Sequence, residues 1–324
     1  MTEVRRADGP AVAEAARILQ EGGIVVFPTE TVYGLGADAR DAQAVEQVFA
    51  AKGRPADNPV IVHVADTQAA RALCAAWPET AEKLARAFWP GPLTIVLPRA
   101  AGIPDAATGG LDSIAVRVPR HPVAQALLRA CGLPIAAPSA NTSGRPSPTT
   151  AQHAYADLGE RVPLYLDAGP TEVGLESTVI GLLGEVPTML RPGGVPREAI
   201  EAVVGPLGKA RAGLARSPGM KYRHYAPTGR VVVAAPEALP ELWRAHKDDG
   251  TGFIVSAEAN LAGEHVRVAG RRDDPPAWGR SLFRLLRELD ARPLIVVEAI
   301  AEDGLGAAVM NRLRKAAEAQ MGGT

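Results

Sequence analysis

The sequence predicts an α/β protein built from two units of unequal size. Short apolar runs alternate along the chain with stretches that show helical periodicity. This alternation breaks down between Gly205 and Thr228, where glycine, proline, lysine and arginine accumulate and no periodicity persists. The length of 324 residues is also enough for two domains.

Helices and strands alternate throughout the first unit. Proline favours the first turn of a helix, aspartate its N-cap, and glycine the position after its last turn. By these signals, helices are predicted at residues 10–20, 41–53, 66 or 67 onward, 122–131 and 196 onward. Apolar or alternating runs predict strands at residues 24–27, 60–64, 93–97, 113–118, 134–137, 177–182 and 188–190.

A second, smaller alternation follows the interruption. Its predicted strands cover residues 231–234, 253–256 and 294–297, and its predicted helices cover residues 239–246, 278–289 and 306–317. This stretch falls within the usual size range of a domain. We therefore expect one domain at residues 1–207, a linker at residues 208–229, and a small C-terminal α/β domain at residues 230–324.

Composition narrows the classes of function. The net charge of −1 gives the chain no general attraction to nucleic acid. No apolar run approaches the roughly 20 residues that cross a bilayer, and the N-terminus lacks the apolar stretch of a secretory signal. Two cysteines and six scattered histidines argue against a disulfide or a zinc site. We expect a cytoplasmic protein with no membrane association.

Two polar clusters follow early elements of the first unit. Residues 28–36 come directly after a predicted strand, where ligand groups of α/β proteins often lie. A capped proline–glycine turn would have the same composition. Lys52 and Arg54 flank a glycine at a predicted helix end, with Asn58 nearby. The helix dipole alone favours cations there, but the pair also suits a phosphate or a carboxylate.

Later polar residues allow the same two interpretations. Residues 138–147 form a Ser/Asn/Gly loop that suits phosphate or a nucleobase edge, and equally a plain turn. His63 and Arg117 each interrupt an apolar strand, where a structural role is the more common explanation. Because no P-loop, dinucleotide fingerprint or nucleophile elbow is present, an ATP site would have to be built another way. Further clusters lie at residues 176–178, 191–193 and 217–227.

Taken together, these segments resemble the threonylcarbamoyl-AMP synthase family in its longer, two-domain form. The resemblance implies a YrdC-like catalytic domain, with a twisted mixed sheet and helices around an open cavity, followed by a smaller Rossmann-like α/β domain. The C-terminal unit agrees in placement and length more than in motifs. The matching segments occur in the family's order at residues 27–36, 52–54, 58–63, 113–117, 139–141, 176–179, 191–193 and 217–227.

The resemblance implies a nucleotidyltransferase reaction, L-threonylcarbamoyladenylate synthesis. L-threonine, bicarbonate and ATP would give threonylcarbamoyl-AMP and pyrophosphate, with Mg²⁺ arriving on ATP and bound by no direct protein ligand. A separate tRNA threonylcarbamoyl transferase complex would then modify the adenosine next to the anticodon. Direct binding of tRNA by this chain is expected to be weak or absent.

The resemblance also assigns roles residue by residue. The catalytic cations would be Lys52, near bicarbonate and the phosphates, and Arg54. The threonine pocket would contain Thr31, His63, Arg117, Ala137 and Ser177, with Arg117 facing the amino-acid carboxylate and His63 a candidate general base. ATP would contact Arg54, Asn58, Ser113, Ser139, Asn141, Ser147, Arg191 and Tyr225. Because Tyr225 lies in the linker, residues 217–227 are expected to cover the cavity as a lid.

Two other functions compete with this interpretation. The first is a non-catalytic RNA-binding module of the same fold, although the net charge and the scarcity of aromatic residues argue against it. The second is a carbamoyl-transfer enzyme of the hydrogenase-maturation type. Such an enzyme would be expected to carry zinc-finger and acylphosphatase-like segments, which the sequence does not show.

Overall fold

A ten-stranded mixed sheet forms the frame of the first unit in the computed structural model, which describes residues 2–208 and 225–318. Its strand order is β1-β8-β2-β3-β7-β4-β6-β5-β9-β10, with parallel and antiparallel neighbours. The strands are β1 (Glu3–Arg6), β2 (Val25–Phe27), β3 (Gly34–Asp38), β4 (Ile61–His63), β5 (Leu93–Pro98), β6 (Ser113–Arg117), β7 (Ile135–Ala136), β8 (Leu164–Asp167), β9 (Thr178–Gly181) and β10 (Thr188–Arg191).

Helices surround this sheet. The predicted ones begin and end close to the residues that the capping signals indicate. Asp41 accepts hydrogen bonds from the backbone N–H groups of Gln43 and Ala44, and Gly53 ends the same helix with a φ of 61°. The helix predicted at residues 122–131 is observed with the same bounds. The helices are α1 (Gly9–Gln20), α2 (Ala42–Lys52), α3 (Thr67–Ala72), α4 (Glu79–Phe88), α5 (Asp105–Thr108), α6 (Pro122–Cys131), α7 (Ala151–Leu158) and α8 (Arg197–Val204). Of these, α4, α5 and α7 were not predicted.

The polar segment at residues 28–36 is only partly a loop. The Thr29 hydroxyl donates to the Val32 carbonyl and accepts from the Thr31 and Val32 N–H groups, which closes a turn. The chain then enters β3, which pairs antiparallel with β2. A Cβ on Gly36 would lie 2.7 Å from Ile135 Cγ2, so this strand position requires glycine for close packing.

A four-stranded parallel sheet forms the C-terminal unit, in the order β11-β14-β12-β13. Three of its strands match the predicted ones, and the edge strand β13 was not predicted. This parallel sheet and the mixed sheet confirm the predicted fold class. The elements are β11 (Arg230–Ala234), α9 (Leu239–His246), β12 (Gly252–Ser256), β13 (Val266–Gly270), α10 (Pro275–Glu288), β14 (Leu294–Glu298) and α11 (Gly306–Glu318).

The C-terminal unit packs against the loops of the first unit. Val32 and Leu175 share a buried apolar cluster with Trp278 and Phe283 of α10. Arg287, also on α10, forms a buried ion pair of 2.7 Å with Asp157 at the end of α7. The two units therefore share one core at the edge where the polar loops lie.

The predicted linker falls mostly outside the described residues. Residues 209–224, which include most of the predicted lid at residues 217–227, are not described. The domain boundaries and the lid therefore stay predictions. None of the helices in the described ranges combines the length and hydrophobicity needed to cross a bilayer.

Candidate active site

One cavity, open to solvent, collects most of the predicted site residues. The strands and loops that line it are distant in sequence. The predicted residues that line it are Thr31, Lys52, Arg54, His63, Arg117, Ala137, Ser139, Asn141, Ser147, Ser177, Arg191 and Tyr225.

Asn58 and Ser113 are the two predicted residues outside this lining. Asn58 is buried, and its side-chain amide has no hydrogen-bond partner among the described residues. Arg54 donates to the Asn58 carbonyl at 3.3 Å. Ser113 begins β6, and the β4–β6 register places it on the Pro59 side of the Ile61–Ala115 pair. Both residues therefore lie just beyond Arg54, at one end of the cavity.

A buried ion pair marks another part of the cavity. Arg117 lies 2.7 Å from Glu30, and both side chains are almost fully buried. The guanidinium also donates to the Thr31 hydroxyl at 2.9 Å and to the Gly91 carbonyl at 3.2 Å. Burial alone would raise the pKa of Glu30, but Arg117 outweighs it and lowers that pKa. The pair thus fixes a guanidinium beside a hydroxyl at the cavity wall.

His63 is adjacent to Arg117 across the β4–β6 register. Burial, and then the Arg117 charge, lower the pKa of His63 to about 3. Its Nδ1 atom has no hydrogen-bond partner among the described residues. The imidazole is therefore neutral at physiological pH, and it is a weak base.

Lys52 connects α2 to the loop at residues 138–147. Its ammonium group donates to the backbone carbonyls of Ser139 and Asn141. Burial, and then the Arg54 charge, lower the pKa of Lys52 well below its ordinary value. Lys52 therefore shapes this loop, besides lining the cavity.

The Ser/Asn/Gly loop is held by its own side chains. Asn141 donates to the Thr142 and Arg145 carbonyls at 2.8 and 3.0 Å, and it accepts from the Ser139 hydroxyl. The Ser147 hydroxyl donates to Glu176. These hydrogen bonds fix the conformation of the loop that forms this wall of the cavity. The Ser147 hydroxyl remains bonded to the buried Glu176 carboxylate.

Arg191 also lines the cavity. It donates to the Ser177 carbonyl at 2.9 Å and is buried. The close approach of the two segments depends on Gly193, where a Cβ would lie 2.3 Å from the Ser177 backbone. The glycine in the Arg-Pro-Gly cluster therefore sets the position of the arginine.

Two residues that the sequence analysis did not assign complete the site. Glu176 lines the cavity, and Arg312 of α11 pairs with it at 2.9 Å with no exposed side-chain surface. Burial alone would raise the pKa of Glu176, but the Arg312 and Arg191 charges lower it. Glu176 belonged to a recognised polar cluster, whereas Arg312 lies on an amphipathic helix in the other unit and gave no signal.

Tyr225 reaches the cavity from the end of the linker. It is buried, with a φ of 65°, and its ring stacks on Phe283 at a centroid distance of 5.4 Å. The Arg312 guanidinium lies 5.4 Å from the same ring. Side chains of the C-terminal unit thus pack against Tyr225, the predicted site residue that belongs to the linker.

The fold and its cation-lined cavity define a protein of the Sua5/YciO/YrdC class. Residues 17–193 match the model of that family, whose description reads "Telomere recombination", and residues 195–318 match "Threonylcarbamoyl-AMP synthase, C-terminal domain". The chain belongs to the threonylcarbamoyl-AMP synthase family, an enzyme family of nucleotidyltransferase type. The predicted family and enzyme class are confirmed.

Full-length relatives show how far the similarity extends. Threonylcarbamoyl-AMP synthase of Bacillus subtilis is 43% identical and aligns with 98% of this chain and 96% of its own. The threonylcarbamoyl-AMP synthase of Pyrococcus abyssi is 46% identical, and the alignment covers 93% of this chain and 92% of that protein. The crystal structure of P. abyssi Sua5 complexed with L-threonine superposes with a TM-score of 0.91 at 44% identity and covers 99% of this chain and 98% of its own.

Proposed function

We propose that this chain condenses L-threonine, bicarbonate and ATP to threonylcarbamoyl-AMP, pyrophosphate and water. One observation carries the proposal: cations and amide or hydroxyl groups from separate segments line a single cavity. The similar P. abyssi protein, whose crystal structure contains L-threonine, supports the amino-acid substrate. The product would supply the threonylcarbamoyl group of the adenosine next to the anticodon.

The Arg117 end of the cavity is the proposed threonine subsite. Its fixed guanidinium would bind the amino-acid carboxylate, and the Thr31 hydroxyl beside it would contact the same ligand. Glu30 holds the guanidinium in place, so the arginine loses little side-chain freedom on binding. The proposed pocket also contains His63, Ala137 and Ser177.

The remaining cations suit the chemistry of the transfer. The threonine amine would first combine with bicarbonate to give a carbamate and water. The carbamate oxygen would then attack the α-phosphate, and the bond from that phosphorus to the bridging oxygen would break to release pyrophosphate. Both reactants are anionic, so Lys52, Arg54 and Arg191 would offset their repulsion and stabilise the transition state. Positioning the substrates together would contribute as well.

No side-chain nucleophile is needed in this scheme, and we do not assign His63 as the general base. An imidazole whose pKa is about 3 accepts a proton from an amine poorly. A neutral histidine still suits the pocket, because it adds no positive charge that would disfavour the threonine ammonium group. We propose that His63 orients threonine.

Mg²⁺ is proposed to bind through the phosphates of ATP. The two buried carboxylates near the cavity are already paired, Glu30 with Arg117 and Glu176 with Arg312. Such paired carboxylates suit Mg²⁺ poorly as direct ligands, whereas triphosphate oxygens suit it well. In the reaction, the ion would neutralise charge on the leaving pyrophosphate.

We propose a cytoplasmic location, since ATP, threonine, bicarbonate and tRNA are all cytoplasmic molecules. A tRNA threonylcarbamoyl transferase complex would take up the product downstream. Direct tRNA binding is proposed to be weak or absent, in keeping with the net charge of −1. The alternative RNA-binding module would predict RNA affinity that falls steeply with salt, which a titration at two salt concentrations tests.

The activity is tested by pyrophosphate release from ATP with the purified chain. Release should require threonine, bicarbonate and Mg²⁺ together, and omission of any one should reduce it to background. Replacing threonine with serine, which lacks the methyl group, should also reduce release. Equal release with serine, or release without an amino acid, would contradict the proposed substrate.

A further inference from the structure

Arg312 extends from the C-terminal unit into the wall of the cavity in the first unit. It lies on α11, its side chain has no exposed surface, and its Nε donates to Glu176 Oε2 at 2.9 Å. Its Nη1 donates to the Pro192 carbonyl at 2.7 Å, next to Arg191. One side chain therefore contacts both Glu176 and the segment that carries Arg191, a proposed ATP contact.

Glu176 connects Arg312 to the loop at residues 138–147. Its second carboxylate oxygen accepts the hydroxyl of Ser147, a proposed ATP contact. The three side chains thus form a continuous chain from α11, through Glu176, to the Ser/Asn/Gly loop. Arg312 also lies against the ring of Tyr225, another proposed ATP contact.

The charge of Glu176 requires compensation in this position. An unpaired carboxylate in a buried wall is costly by itself. In a cavity that receives a triphosphate, it would also repel the substrate, because like charges within a few ångströms interact strongly where water is excluded. Arg312 supplies the positive charge that directly contacts this carboxylate.

We propose that Arg312 is a positioning residue of the ATP subsite, which neutralises Glu176 so that this carboxylate can hold Ser147 without repelling the phosphates. The inference rests on the proposed function. It gives the C-terminal unit a defined part in nucleotide binding, which is distinct from its packing against the first unit. The threonine subsite around Arg117 has its own paired carboxylate, Glu30, and should not depend on Arg312.

A purely structural role makes a different prediction. If Arg312 only attached the C-terminal unit to the first, its removal would disturb both substrate subsites together. A second substitution at Glu176 would not restore the lost attachment. Removing the negative charge would restore ATP binding only if uncompensated charge is the cause of the defect.

The test compares Arg312→Met with the double variant Glu176→Gln/Arg312→Met in the pyrophosphate-release assay. Glutamine keeps an acceptor for the Ser147 hydroxyl and removes the charge. In the single variant, KM for ATP should rise by about tenfold or more, while KM for threonine changes by less than about twofold. In the double variant, most of the loss in ATP affinity should be recovered. Arg314→Met, on the exposed side of the same helix and paired with Glu302, is the matched control and should behave like the wild type.

Other outcomes would overturn the proposal. A parallel rise of both KM values, or a double variant as weak toward ATP as the single one, would reduce Arg312 to a docking residue. Should Arg312→Met fail to fold, the double variant and Arg312→Lys replace it in the test. The proposal then requires that both variants have a KM for ATP close to that of the wild type. Wild-type protein without threonine-dependent release would contradict the proposed function instead, so the two failures are distinguishable.

Discussion

Burial determines the chemistry of single side chains at this site. His63 and Lys52 both line the cavity, and burial lowers the pKa of each. Glu30 and Glu176 are also buried, but each lies against an arginine that lowers its pKa. The cavity therefore contains carboxylates that stay ionised and an imidazole that stays neutral. This combination arises because each carboxylate forms an ion pair with an arginine, and His63 does not lie beside a carboxylate partner in the part of the chain that the structure describes. The sequence alone does not show these ion pairs.

At the residue scale, the first prediction concerns the stability of the protein in acid. The native protein keeps His63 neutral down to about pH 3, whereas the unfolded chain takes up a proton near the ordinary value of 6.5. The unfolded state therefore binds more protons between these values, and stability should fall as pH falls below 6.5. The slope is at most about 1.4 kcal/mol per pH unit for one such histidine.

Denaturant unfolding between pH 5 and pH 7 tests this expectation. His63→Gln should flatten the dependence of the free energy of unfolding on pH. His153→Gln is a comparison variant: the pKa of that imidazole is also lowered, to about 4, so its removal should flatten the slope over the same range. Identical slopes for His63→Gln and the wild type would contradict the assignment of a neutral, buried histidine.

Lys52 provides the second prediction at this scale. Lys52→Met keeps much of the side-chain length but removes the charge and the bonds to the Ser139 and Asn141 carbonyls. We expect the rate of pyrophosphate release to fall by about 100-fold or more, as when one transition-state donor is lost. Lys83→Met, at an exposed pair with Glu79, is the control and should keep full activity. A Lys52→Met variant with wild-type turnover would exclude a catalytic role for this residue.

At the scale of elements, the most periodic segments were predicted, whereas the strands β1, β3, β8 and β13 were not. The helix beginning after Asp41 was predicted because its cap, apolar face and terminal glycine all agree. In contrast, β1 is a charged edge strand and β13 is only partly buried, so neither shows a buried apolar run. The strand β3 was missed because its glycines are typical of a turn. The close packing of the Phe27 ring and the Ile135 methyl group, which explains why Gly36 is a glycine, is visible only in the structure.

The packing of β3 gives a prediction about stability. In Gly36→Ala, the new Cβ would lie 2.7 Å from Ile135 Cγ2 and 2.8 Å from the Phe27 ring. Such overpacking should lower the free energy of unfolding by about 1–3 kcal/mol. Gly9→Ala, where a Cβ meets nothing within 4 Å, should change it by less than about 0.5 kcal/mol. Denaturant titration of both variants measures the difference, and equal stabilities would show that β3 can shift to accept a side chain.

The linker end gives a second prediction at this scale. Tyr225→Ala removes a ring that packs between Phe283 and Arg312 and lines the cavity. KM for ATP should rise by about tenfold, because an aromatic contact of this kind contributes on the order of 1 kcal/mol beyond its burial. Tyr225→Phe should retain most of the affinity. An exposed ring, Tyr155, supplies the control, and an unchanged KM in Tyr225→Ala would remove the linker from the ATP site.

At the scale of the whole molecule, residues of both units line or contact the wall of one cavity. The predicted residues were found by similarity to a family and by their positions at strand ends, and most of them do share one cavity. The Arg312–Glu176 contact joins residues 136 positions apart in different units. No local pattern encodes such a contact, because it depends on how α11 docks against the first unit. The loops that line the cavity could therefore be predicted from the sequence, whereas Arg312 of the second unit could not.

The central claim is that one electropositive cavity holds threonine and ATP side by side. A crystal structure of the chain with L-threonine and a non-hydrolysable ATP analogue tests it most directly. We expect the threonine carboxylate at Arg117 and the triphosphate in contact with Arg54, Ser147 and Arg191, with both ligands in the same cavity. Ligands bound at separate surfaces, or a nucleotide that avoids this cavity, would contradict the claim.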